Sequence, residues 1–385
     1  MARVSASALP GGAALLALGW GSNQFAPLVV DYQVAGGVSP AATEAMFVLY
    51  AVGLVPGLFA GGYLSDRFGR RSLILASLGL SAASSLLLMA GGLALTPLYV
   101  GRLVAGVASG TGFSAGTAWV KEDSHEQHGA RHAVIAMTAG FALGPLVAGV
   151  VGASYPERLW LTYLPHVVIT MAALVLVART KAGHRRPGTK PRGARGRSVV
   201  CDPAFWKVIA PLAPWVFLTA AVALATLPAA VPGTTIGGPM WVAALVTPLP
   251  AIAGVAVQSI TRRMRHLRGE VAFGLTTATV GLVLGAFAVM TTSFVLLLVA
   301  CILLGLAYGI CQTCGLHAVT TLSPPHRLGQ STAIYQTLTY IGYLAPLPIV
   351  ALERTTDLTT ILFVLAGLAV VTGVAVLPST GAVAR

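Results

Sequence analysis

Runs of about twenty apolar residues recur twelve times along this chain, near 12–33, 42–62, 73–92, 97–119, 132–153, 159–178, 204–229, 239–260, 270–290, 293–316, 328–352 and 358–378. A helix needs about 20 such residues to cross the hydrocarbon core of a bilayer. In lipid, a helix also satisfies every backbone polar group within its own segment. The composition agrees: hydrophobic residues make up 56% and charged residues 9%, against roughly 25% charged in soluble chains. A water-soluble surface cannot be built from so few charges, so the chain reads as an all-α integral membrane protein. The first run follows Arg3 as a signal peptide would, but Asn23 and Gln24 interrupt it. With no convincing cleavage site, it is taken as the first span.

The net charge of +13 is a topology signal. With the N-terminus in the cytoplasm, the inside connections carry Arg67, Arg70, Arg71, Lys121, Arg131, Lys207, Arg262, Arg263, Arg265, Arg268 and Arg327. The segment Arg179–Asp202 adds eight more basic residues and no acid before Asp202. Only Arg158 and Arg354 fall outside, and Arg102 lies within a span. Cytoplasmic loops of membrane proteins are enriched in Lys and Arg. Both termini are therefore expected in the cytoplasm, and a nucleic-acid partner is not. The excess of Arg over Lys, 20 to 4, suits GC-rich bacterial coding and hence a bacterial plasma membrane. Residues 1–178 and 204–385 are expected as two six-helix bundles, joined by a basic tether over 179–203 that rests on anionic lipid. A faint repeat supports two halves: Gly129-x3-Ala133-Val134-Ile135 is echoed by Gly329-x3-Ala333-Ile334-Tyr335, with Pro145 and Pro346 downstream. Four cysteines in apolar context give no disulfide framework. Cys311-x2-Cys314 reads as small-residue filler, so no metal and no cofactor are expected.

Three local patterns are specific. The loop after the second span reads Gly62-Tyr63-Leu64-Ser65-Asp66-Arg67-Phe68-Gly69-Arg70-Arg71. A carboxylate set among guanidinium groups at the membrane surface accepts charge-assisted bonds and can face a helix N-terminus. The fourth span has Arg102-x3-Gly106-x-Ala108-Ser109, and the fifth Gly140-x3-Gly144-Pro145-x3-Gly149. Together these resemble the three signature motifs of the major facilitator superfamily, and the third is typical of its exporters. The resemblance implies twelve transmembrane helices as two pseudo-symmetric six-helix bundles, the major facilitator fold. It makes Gly62, Asp66, Arg67, Gly69, Arg70 and Arg71 an inside gate that meets helix 11. It makes Gly140, Gly144, Pro145 and Gly149 a region where helix 5 bends or slides against helix 8. In the family, helices 1, 4, 7 and 10 line a cavity, while 3, 6, 9 and 12 face outward.

Polar residues inside the spans agree with that plan. Trp20, Asn23, Gln24, Pro27 and Asp31 share a face of helix 1; Arg102, Gly106, Ser109 and Phe113 share one on helix 4. Helix 10 offers Tyr308 and Gln312, and helix 11 offers Gln336, Tyr340 and Tyr343. Trp20, Asn23, Gln24, Phe113, Tyr308 and Gln312, with Trp215, are therefore the cavity candidates. Gly53-x3-Gly57-x3-Gly61 and Gly305-x3-Gly309 read as helix-packing stripes, and His166 as a hydrogen-bonded histidine. Asp31 and Arg102 are the coupling candidates, with two readings of Arg102 open: an ion pair with Asp31, or bonds to helix 1 carbonyls and amides.

The resulting expectation is a monomeric transporter of the drug/proton antiporter branch, working by alternating access. Its substrates would be small hydrophobic or amphipathic compounds exported against protons. A sugar or organic-anion importer is the alternative. A membrane-embedded transferase would need paired acids on a metal–diphosphate. The cluster Glu122, Asp123, His125, Glu126 and His128 reads instead as a hydrated loop, so no enzyme is expected. None of the eleven acids lies in mid-span, and the counterpart of the first motif, Thr261-Arg262-Arg263-Met264-Arg265, has no acid. No mid-span carboxylate therefore marks a proton carrier.

Overall fold

The computed structural model describes residues 9–34, 36–92, 94–123, 126–180, 199–231, 238–261, 266–324 and 328–383. The first half holds α1 (Leu9–Asn23), α2 (Leu28–Val34), α3 (Pro40–Phe68), α4 (Arg70–Met89), α5 (Leu95–Asp123), α6 (Glu126–Ser154) and α7 (Leu164–Arg179). The second holds α8 (Ala210–Ala221), α9 (Leu227–Ala230), α10 (Pro239–Val246), α11 (Leu249–Thr261), α12 (Leu267–Thr291), α13 (Phe294–Leu322), α14 (Leu328–Ile341), α15 (Pro346–Leu352) and α16 (Leu358–Val376). No strand occurs among the described residues. Ten stretches are long and apolar enough to cross a membrane. The two other sequence runs differ for readable reasons. α5 has 29 residues, but Arg102, its glycines and its hydroxyls dilute the apolar content. The run through α14 and α15 is interrupted by a tight turn at Gly342–Leu344. Residues 181–198, most of the basic tether, lie outside the described residues, as do Arg262–Arg265.

The breaks have local causes. Pro27 lacks a backbone N–H and disfavours helix in the residue before it. The first span accordingly splits after Asn23, with turn bonds from Ala26 N to Asn23 O (3.0 Å) and Leu28 N to Phe25 O (3.1 Å). Gly69 adopts φ +90°, a value open to glycine, and so turns the chain sharply from α3 into α4. Asp357 caps α16 by accepting from Thr360 N at 2.9 Å and Thr360 Oγ1 at 2.8 Å. Those bonds hold its carboxyl below the usual carboxylate range.

The chain forms two compact units, Met1–Arg186 with Thr234–Pro248, and Pro187–Gly233 with Leu249–Arg385. The segment Thr234–Pro248 joins the first unit because α10 packs on α6 and α2. Within the first unit, α5 packs on α3, α4 and α1, while α6 lies on α1 and α7 on α4. Six spans later the scheme recurs in the second: α13 packs on α11, α12 and α8, while α14 lies on α8 and α16 on α12.

Glycines set the same pairings. A Cβ on Gly106 or Gly110 of α5 would strike the Tyr50 or Leu54 carbonyl of α3, and one on Gly57 would meet the Val107 carbonyl. In the second unit, Gly309 of α13 lies against the Gly254 carbonyl of α11, and Gly305 against Pro250. Gly140 of α6 lies on the Leu16 carbonyl of α1, and Gly342 on the Pro214 carbonyl of α8. Close approach of small residues is how helices gain van der Waals contact in lipid, where hydrophobicity offers no preference between partners.

Candidate functional site

The loop between α3 and α4 is built around side chains that bond locally. Asp66 Oδ1 accepts from Arg70 Nη1 at 2.9 Å, with the Asp66 side chain 73% exposed. Arg70 also donates to Ser65 Oγ, and Ser65 Oγ donates to Gly62 O at 3.0 Å. Arg67 donates to the Tyr63 hydroxyl at 3.3 Å and lies over the Phe68 ring. Arg71 has a separate task. Its Nε and Nη2 donate to Val177 O at 3.2 Å and Ala178 O at 2.6 Å. These are carbonyls in the last turn of α7, where Val177 O also accepts from Thr180 N at 3.2 Å, and carbonyls at a helix C-terminus attract a cation. The sequence motif does not reveal this task, because it depends on a helix about a hundred residues away.

Arg102 on α5 is wholly buried. Its Nε donates to Met46 O at 3.2 Å and Nη1 to Ser22 O at 3.3 Å. The guanidinium also lies 4.7 Å from the Tyr50 ring centroid, 4.8 Å from Phe25 and 5.8 Å from Phe47. Carbonyl oxygens and aromatic faces are both electron-rich, so both attract the cation. Asp31, on α2, forms no ion pair with Arg102; its Oδ2 is buried without a hydrogen-bond partner. Of the two backbone acceptors of Arg102, Ser22 O belongs to α1 and Met46 O to α3, so a single helix 1 carbonyl takes part. Ser22 adds a bond to Ser109 Oγ at 2.9 Å, which ties α1 to α5 beside the guanidinium. Sequence reasoning missed Tyr50 and Phe25. Their only signal was an aromatic on α3 and one in the turn after α1, both near a buried cation.

The other first-unit residues divide between two environments. Trp20 is nearly buried, its backbone covered by Gly140 and Gly144, and its Nε1 has no partner. Asn23 is half-buried at the end of α1. Phe113 meets Phe141 edge to face at 5.6 Å. Gln24 turns away, into the interior. Its Nε2 donates to Ser85 Oγ at 2.9 Å, and Ser85 lies 2.7 Å from His166 Nδ1. His166 Nε2 lies 3.1 Å from Ala17 O and 3.0 Å from Thr170 Oγ1. This chain braces α1, α4 and α7. On α6, Gly140 and Gly144 admit α1, Gly149 admits Ala244 of α10, and the helix continues through Pro145.

In the second unit, α8, α13 and α14 bring together an aromatic and amide cluster. Phe217 stacks on Tyr340 at 4.4 Å and 15°, with Tyr308 at 5.6 Å and Tyr343 at 5.7 Å. Gln312 Nε2 donates to Gln336 Oε1 at 3.1 Å, while Gln312 Oε1 has no partner. Phe217, Tyr308, Gln312, Gln336 and Tyr340 are all half-buried. Trp215, two residues from Phe217 and so on the other side of α8, donates instead to Thr372 Oγ1 of α16 at 3.2 Å. An apolar groove of about 580 Å³, lined by Val151, Tyr155, Leu161, Leu164, Pro165, Val168 and Ile169, contains none of these polar groups and is not the candidate site. Cys311 and Cys314 are free and buried. The side chains of Glu122, Asp123, His125, Glu126 and His128 lie outside the described residues.

Comparison with known proteins gives the family. The aligned stretches span about one third of the curated relatives. The class C tetracycline resistance protein of Escherichia coli is 36% identical over 133 residues, 33% of this chain and 32% of the relative. The class G protein of Vibrio anguillarum is 37% identical over 128 residues, 32% of this chain and 31% of the relative. Among solved structures, a peptide transporter POT in complex with alafosfalin superposes with a TM-score of 0.79 at 16% identity, covering 98% of this chain and 94% of its own. The inward-open xylose transporter XylE from E. coli gives 0.74 at 14%, covering 97% and 95%. These likenesses show the fold. The profile described as Major Facilitator Superfamily matches residues 11–346, and with the fold and the three motifs in place the chain belongs to that superfamily of membrane transporters.

Proposed function

We propose that this transporter exports small hydrophobic or amphipathic compounds in exchange for protons, by alternating access, from the cytoplasm of a bacterium. The observation that carries the reading is the aromatic and amide cluster of Phe217, Tyr308, Tyr340, Gln312 and Gln336. Flat ring faces beside an unpartnered amide oxygen suit a planar amphipathic solute, because the apolar body stacks while a polar edge is oriented. Trp20, Asn23 and Phe113 are assigned substrate contacts in the first unit, and Gln24 a bracing role beside them. Tetracycline resistance proteins among the relatives support the same substrate class. Asp66 and its arginine neighbours are assigned to a cytoplasmic gate, and Gly140, Gly144, Pro145 and Gly149 to helix movement during the cycle. Asp31 is proposed to bind a proton or cationic substrate independently of Arg102. The protein is proposed to act as a monomer in the plasma membrane, both termini inside, its tether of eight basic residues on anionic lipid.

The test is uptake into inside-out vesicles from expressing cells, over a compound panel that includes tetracycline, a hydrophobic cation, xylose and an organic anion. Uptake of the first two, stimulated by an acid interior, is the expected result. Accumulation of the sugar or anion by whole cells would replace export with import.

A further inference from the structure

The second unit contains four acids, and one of them is buried. Asp202 is partly exposed, while Glu353 and Asp357 are exposed. Glu270, in the first turn of α12, is 2% exposed. An acid at that position would ordinarily turn outward into water or headgroups, since burying a carboxylate is costly unless it is paired. Glu270 turns inward and is paired. His317 Nδ1 on α13 lies 3.1 Å from Oε1 and 3.3 Å from Oε2, and the His317 side chain is 44% exposed.

Among the described residues, few ionisable groups surround this pair. α8, α9 and α16, which pack on α12, contain no acidic or basic residue. α13 contributes the Cys311 and Cys314 thiols and Tyr308. α14 contributes Tyr340 and Tyr335, whose hydroxyl donates to Cys311 O at 3.1 Å. Lys207, on a turn that also meets α13, is exposed, as are His266 and Arg268 beside Glu270 in the chain. Among the described residues, His317 is the one ionisable side chain within hydrogen-bond distance of this buried acid, and it reaches the surface on its other side. Imidazole is also the side chain that exchanges protons near neutral pH.

α13 joins this pair to the aromatic and amide cluster. Gln312 precedes His317 by five residues, about 7–8 Å along the helix axis, and its Nε2 is bonded to Gln336 of α14. We propose that Glu270 and His317 form the proton-binding site of the second unit, and that proton uptake there alters the hold of α13 on α12 and so the Gln312–Gln336 contact. This rests on the reading of proton-coupled transport. With one proton on the pair, imidazolium Nδ1–H donates to the carboxylate and the pair is neutral. A second proton, taken from water on the exposed side of His317, converts the carboxylate to a carboxylic acid. The imidazolium then loses its counter-charge and turns toward water, which loosens the contact; release of that proton restores it.

The test uses the purified full-length chain. Infrared difference spectra in nanodiscs, between about pH 5 and 8, read carboxyl protonation. Tetracycline exchange in proteoliposomes over the same range reads transport. The expected result is a titrating carboxyl signal that is missing in Glu270→Gln and shifted in midpoint by about one pH unit in His317→Gln, together with an exchange rate whose pH dependence is lost in Glu270→Gln. A titrating carboxyl signal in Glu270→Gln that equals wild type with no component lost, or a pH profile in that variant parallel to wild type, overturns the proposal. Wild-type exchange that ignores pH overturns the proton-coupled reading and the coupling half of this proposal; the infrared titration separately decides whether the site binds a proton.

Discussion

Arg102 Nη1 donates to the main-chain oxygen of Ser22 at 3.3 Å, so the buried cation of the fourth span is held by backbone of the first. Asp31 takes no part in this contact. The two charges should therefore act independently. In a double-mutant cycle of Arg102→Ala and Asp31→Asn, stability changes are expected to add within about 0.5 kcal/mol. Arg102→Ala alone should cost about 3 kcal/mol, because two carbonyls lose their donor in the interior. Thermal unfolding in detergent checks both values. A coupling energy above about 1 kcal/mol would restore the ion pair.

The loop arginines should separate into two kinds. Asp66→Asn removes the partner of Arg70 from an exposed pair, and exposed pairs contribute about 0–1 kcal/mol. Its stability should hardly change while transport falls. Arg71→Ala instead strips donors from Val177 O and Ala178 O and should lower stability by about 1–2 kcal/mol. Melting temperature and transport, measured for both variants, give opposite orders if this division is right.

Glycine substitutions offer a contrast on neighbouring helices. Gly106→Ala drives a methyl group into the Tyr50 carbonyl and should destabilise by about 1–3 kcal/mol. Gly79 on α4 faces open space, with nothing within 4 Å of where a methyl group would lie. Gly79→Ala should therefore stabilise slightly, by up to about 1 kcal/mol, through helix propensity. Equal effects of the two would contradict the interlocked backbones of α3 and α5.

Phe217→Ala and Trp215→Ala should likewise differ. The first opens the face of the cluster and is expected to change the preference among aromatic substrates several-fold, with a modest loss of stability. The second removes a packed ring bonded to Thr372, and should cost about 3 kcal/mol with the substrate order kept. Inhibition of transport across a compound series distinguishes them.

The helical class was legible because apolar runs of spanning length need no tertiary information. The packing stripes of Gly53, Gly57, Gly61, Gly305 and Gly309 were legible for a similar reason: their regular spacing states which helix face must be small. Side-chain direction was not legible. Gln24 shares helical spacing with Trp20 and Asp31, yet Pro27 breaks the helix there, and the amide turns to Ser85. Sequence reasoning picks Trp215 over Phe217, since nothing in a uniformly apolar helix marks which aromatic faces α13 and α14. Glu270 reads in the sequence only as an acid near a helix start. Its partner, His317, is 47 residues away, and only packing of α12 on α13 brings the two together.

Proton-driven export is tested most directly by transport against an imposed pH difference. Purified protein reconstituted in liposomes is given an acid interior, tetracycline is added outside, and accumulation is followed with and without a protonophore. Molecules oriented with the cytoplasmic side outward should concentrate the drug at least several-fold, and the protonophore should collapse that gradient. Accumulation that survives the protonophore, or mere equilibration whatever the imposed pH difference, would contradict proton-driven export.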